Sequence, residues 1–143
     1  MERTILGLAA AFAVSVVLFA ILSRPADPLP DLDAATTHPD GEWFQKEVMD
    51  SEIPVIVDFG ATWCGPCKIL APMVDKFEEE YGDQVKVVRI DIDEKPELST
   101  YLGVKSIPFI YVVKDGKPVD HMMGVQPGYK YEDFEAFVKP HLE

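Results

Sequence analysis

The only two cysteines of the chain stand two residues apart in TWCGPCK, residues 62–68. At a spacing of i and i+3, one helical turn puts both sulfurs on the same side, within reach of a disulfide. The preceding run PVIVDFG, residues 54–60, is apolar and β-branched and reads as a buried strand. From Gly65 onward the pattern is helical. Cys64 therefore falls at a helix N-terminus, where unpaired N–H groups and the helix dipole favour negative charge. The thiolate is the reactive form of cysteine, so this position lowers the pKa of Cys64. Pro66 suits a first turn, where its missing N–H costs little. Lys68 adds positive charge nearby.

Other uses of the pair fit less well. A structural zinc site needs four ligands, and only His38, His121 and His141 remain, scattered singly. A bridge closing so short a loop stabilises little. A catalytic dithiol is the expectation. Asp58 supports it, interrupting the apolar strand six positions before Cys64. An ionised carboxylate there is costly, and burial raises its pKa. A carboxyl so poised can exchange a proton with a thiol. At an exposed strand end it would have no such role. Arg89, on the neighbouring strand, is a candidate counter-charge. Ile107-Pro108 opens a later strand. Proline is tolerated at a strand start, and a cis bond is the functional alternative.

These residues must be held by the elements around them. Helices are expected over 40–49, 65–81, 94–102 and 129–139, and strands over 54–60, 85–92, 108–113 and 119–123. Pro72 inside the second helix should kink it. The turn 114–117, KDGK, closes a hairpin with glycine where a positive φ is needed. The fold class is α/β, a mixed central sheet with helices on both faces. The first three strands, joined by helices, are expected to run parallel, and the last two antiparallel.

The chain has 143 residues, with 13 Lys+Arg against 25 Asp+Glu, a net charge of −12. So acidic a body excludes nucleic-acid binding, because nothing would neutralise phosphates. Residues 5–22, ILGLAAAFAVSVVLFAIL, carry no charge and just reach the length of a spanning helix. A cleaved signal peptide is the rival, but its apolar region is shorter, and Ala20-Ile21-Leu22 is a poor cleavage site. The organisation expected is a retained anchor over 1–23, a Pro/Asp-rich linker over 24–39 and one domain over 40–143. Arg3 and the terminal amine tip the orientation towards an extracytoplasmic domain.

Together these residues resemble the thioredoxin family. WCGPC at 63–67, Asp58, Pro72 five residues after Cys67, Ile107-Pro108, the 114–117 turn and Gly124 all fall at its spacings. The resemblance covers about residues 40–143 and implies a thioredoxin-like fold. It implies that Cys64 attacks a substrate disulfide, Cys67 resolves the mixed disulfide and Asp58 assists its deprotonation. Pro108 would be cis and face the cysteines. Trp63, Gly65, Pro66, Ile107, Pro108, Gly124 and Val125 would line a groove for an extended substrate segment. No metal or organic cofactor is implied, and a monomer is expected. The partners would be disulfide-containing proteins and an upstream thiol reductant: thioredoxin reductase, a flavoprotein, inside a cell, or a membrane electron carrier outside. The membrane segment resembles tethered members of the bacterial cell envelope.

The chain departs from the family in three places. Gly60 stands where classical members carry a tryptophan, Arg89 replaces a lysine, and residues 32–39 make a poor first strand. Two other functions remain open: a disulfide oxidase or isomerase, and a tethered binding or assembly module whose cysteines are incidental.

Overall fold

The computed structural model describes residue 32 and residues 37–143. The apolar run 5–22 expected as an anchor, and most of the linker expected over 24–39, lie outside the described residues. Among the described residues, no helix is long and apolar enough to cross a membrane.

A short helix α1, Gly41–Phe44, continues into a wider π-helical turn, Gln45–Met49. Strand β1 is Val55–Gly60, and helix α2 runs unbroken from Gly65 to Tyr81 through Pro72. Strand β2, Lys86–Asp91, is followed by the six-residue helix α3, Pro96–Tyr101. Strands β3, Phe109–Lys114, and β4, Lys117–Met123, form the hairpin. Helix α4, Tyr131–Val138, runs into a 3-10 turn, Lys139–His141.

The sheet order is β2-β1-β3-β4. β1 pairs parallel with β2, from Val55↔Lys86 to Gly60↔Asp91. β3 is antiparallel to β1, through Asp58↔Ile110 and Phe59↔Phe109, which corrects the expectation of three parallel strands. The helix between β2 and β3, α3, is short. At 1.5 Å per residue it spans about 9 Å, under half the ~20 Å of a six-residue strand. The helix does not carry the chain back along the sheet, and β3 starts at the end where β2 stops. The C-terminal ends of β1 and β2 and the start of β3 thus share one rim, where the Ile92 N–H donates to the Gly60 carbonyl at 3.0 Å.

Side chains alternate across β1 and build two cores. Val55, Val57 and Phe59 pack with Phe44 and Val48 from the N-terminal helical turns and with Leu98 and Leu102 around α3. Leu32, within the stretch read as linker, is buried in this cluster. The Tyr111 hydroxyl donates to the Leu102 carbonyl at 2.9 Å and ties β3 to the end of α3. On the other face Ile56 and Ile110 pack against Leu70, Val74 and Phe77 of α2 and Phe134 and Val138 of α4. Each fully buried aliphatic or aromatic side chain contributes about 1.5–3 kcal/mol. The face carrying Ile56 is also the one that meets the start of α2.

Candidate active site

Cys64 is extended, with φ −79° and ψ 109°, and forms the N-cap of α2. Its sulfur accepts the backbone N–H of Cys67 at 3.2 Å. Pro66 sits in the first turn, as its missing N–H allows. Cys64 and Cys67 are joined as a disulfide. A negative charge on Cys64 Sγ would receive both that N–H and the field of a 17-residue helix. Gly65 and Pro66 are exposed beside it.

Asp58 is the fourth of six residues in β1 and is half-buried, not at an exposed strand end. Alternation places it on the same face as Gly60, about 7 Å along the strand. That face meets the redox pair, because a Cβ at Gly60 would lie 3.6 Å from Cys67 Sγ. Burial pushes the Asp58 carboxyl up to about 6; Arg89 pulls it down, and Asp75 adds a smaller upward push. Arg89 stands opposite Asp58 in the register. Its guanidinium, however, donates to Asp75 at 2.6 Å and Glu78 at 3.0 Å on α2. The counter-charge expected for Asp58 therefore acts only through space.

The Ile107-Pro108 bond is cis. The Phe59↔Phe109 register sets Pro108 opposite Gly60 at the rim. The Pro108 carbonyl accepts the Gly124 N–H at 2.8 Å, which joins these two expected groove residues. Gly124 has φ 73°, a conformation that favours glycine. Val125 is half-buried against the second core. Trp63 is 65% exposed and lines a cavity of about 540 Å³ with Ile92, Asp93, Val104 and Ile107. Its indole N–H donates to Asp93 at 2.7 Å. Asp93 was not anticipated from sequence. The one available signal is Asp91, whose carboxylate accepts the Asp93 N–H at 2.8 Å in a local turn. Among the described residues, no group of three or more His, Cys, Asp or Glu is placed to hold a metal ion.

The sequence pattern of the thioredoxin family matches residues 35–139. Thioredoxin 1 of Synechococcus elongatus is 49% identical over 84 residues, 59% of this chain and 78% of its own length. Thioredoxin of Rickettsia typhi is 48% identical over 83 residues, 58% of this chain and 79% of its own length. Thioredoxin of a Synechocystis species is 45% identical over 84 residues, with 59% and 78% covered. With its paired sulfurs at a helix start behind a strand that carries a raised carboxyl, the chain belongs to the thioredoxin family and is a thioredoxin-type thiol-disulfide oxidoreductase.

Proposed function

We propose that the chain reduces disulfides in other proteins while tethered to a membrane, with its domain on the extracytoplasmic side. The observation that carries the reductase reading is the position of Cys64 Sγ, the N-cap atom of α2. A thiolate there attacks one sulfur of the substrate disulfide and expels the other as a thiolate. Cys67 then attacks Cys64 Sγ, re-forms the Cys64–Cys67 bond and releases the second substrate thiol. Asp58, titrating near 6, is ionised at neutral pH yet basic enough to take the Cys67 proton, directly or through one water. Trp63, Gly65, Pro66, Ile107, Pro108, Gly124 and Val125 form the walls between which an extended substrate segment lies. The tether rests on the uncharged run 5–22. An extracytoplasmic domain requires a membrane electron carrier as its donor.

Cys64→Ser should bring reduction of insulin disulfides down to background; undiminished turnover would reject the mechanism. Protease added to intact spheroplasts should remove the domain. Full protection would place it inside, with a flavoprotein donor.

A further inference from the structure

Helix α3 carries two neighbouring stripes of side chains. Pro96 and Thr100, four residues apart, share one; Glu97 and Tyr101 share the next. The cavity walled by Trp63, the residue before Cys64, reaches the first stripe and not the second. A second cavity, of about 460 Å³, is lined by the same Pro96 and Thr100 together with Glu97, Tyr101 and His38. The ridge between the two cavities is thus one turn of helix.

The second cavity holds an unmatched negative charge. The Glu97 side chain is 80% exposed, and among the described residues no lysine or arginine pairs with it. Lys95, two positions earlier, is taken by Asp40 at 2.6 Å. His38 Nε2 lies 3.6 Å from the Glu97 carboxylate, too far for a hydrogen bond, and is buried without a partner. His38 Nδ1 accepts the Asp40 N–H at 3.2 Å, so the ring is neutral and brings no charge to Glu97. Tyr101, on the same stripe, is 47% exposed. A carboxylate beside a half-exposed ring suits a cation. Arginine fits best, because its planar guanidinium stacks on a ring while its N–H fork meets a carboxylate.

We propose that the second cavity is an exosite for protein substrates, in which a substrate arginine lies on the Tyr101 ring and against the Glu97 carboxylate. The inference rests on the reductase reading and names a substrate class for it: disulfide proteins with a basic side chain at a set distance from the reacting cysteine. The segment beside the disulfide lies in the first cavity, crosses Pro96 and Thr100, and delivers the arginine beyond them. A helix is about 10 Å across, so roughly three residues of extended chain make the crossing. The dependence on distance separates this site from the general pull that a chain of net charge −12 exerts on any basic peptide.

The test uses the reduced full-length chain and peptides closed by one disulfide, with a single arginine stepped along the tail on either side and glutamine in its place as the control. At one spacing, kcat/KM should exceed that of the glutamine peptide about fivefold, the size of an exposed cation–π contact joined to an ion pair. Glu97→Gln and Tyr101→Ala should each flatten this peak and leave the glutamine peptides unchanged. Glu79→Gln, which removes the same charge from an exposed position on α2, should keep it. A profile without a peak, or a peak that survives both cavity variants, overturns the inference. Reduction of the glutamine peptides reports the reductase reading alone, which falls if none is reduced. The exosite is then judged by binding to the oxidised chain, and equal affinity for the arginine and glutamine peptides overturns it.

Discussion

The indole N–H of Trp63 donates to the Asp93 carboxylate at 2.7 Å, across 30 residues of chain. This contact holds a mostly exposed ring against the loop after β2, in the position directly before Cys64. It also makes the ring one wall of the cavity shared with Ile107. An exposed hydrogen bond to a charged group is worth about 1 kcal/mol, or roughly fivefold in binding. Asp93→Ala is therefore expected to raise KM for a protein disulfide about fivefold, with the loss in KM rather than kcat. Steady-state kinetics with insulin would check it, and a fall confined to kcat would contradict it.

On the proposed mechanism, Cys67→Ser removes the resolving sulfur and leaves the Cys64 sulfur at the N-cap of α2. Attack on substrate then proceeds and stops. A covalent adduct between Cys64 and the substrate should accumulate, visible on a non-reducing gel and dispersed by dithiothreitol. If Cys64→Ser accumulates the adduct instead, the two roles are reversed.

Asp58 links the site to stability. Its folded pKa of about 6 lies above the ordinary 3.8, so protonation favours the folded state. That contribution is complete below about pH 4 and is lost as pH rises through about 6. At pH 7 the ionised, half-buried carboxylate is a net cost of about 2–3 kcal/mol. Asp58→Asn should therefore be more stable than the parent at pH 7 by roughly 2 kcal/mol, the difference vanishing near pH 4. Denaturant unfolding of the oxidised protein at the two pH values measures this. The same variant should reduce insulin more slowly at neutral pH.

Leu32 is 1% exposed in the core that also holds Phe44, Val48 and Leu98. Leu32→Ala is expected to cost about 2–3 kcal/mol through lost burial and the cavity left behind. An unchanged unfolding midpoint would show that the domain does not depend on this residue.

The sequence exposed the chemistry more fully than the topology. Cys64 was legible as an N-cap because a buried strand, a Gly-Pro insert and helical periodicity follow one another within a few residues. Asp58 stood out because a carboxylate breaks an otherwise apolar strand. The direction of β3 was hidden, because periodicity shows that a helix and a strand exist but not which way the chain runs after the helix. Asp93 was missed because its role comes from a contact 30 residues away. Leu32 was missed because a leucine in a stretch broken by prolines and aspartates has no periodicity to report. Arg89 was placed on the correct strand, but nothing local showed that Asp75 and Glu78 would compete for it.

The antiparallel pairing of β3 with β1 divides the molecule into a working end and a spare end. Trp63, Asp93, Pro108 and Gly124 all gather where β1 and β2 stop and β3 begins. The opposite end holds the tight turn Asp115-Gly116, whose φ values of 52° and 69° close the hairpin far from the sulfurs. Grafted loops or affinity tags belong there, whereas even a short insertion between β2 and α3 would pull apart walls that are drawn from four separate stretches of chain.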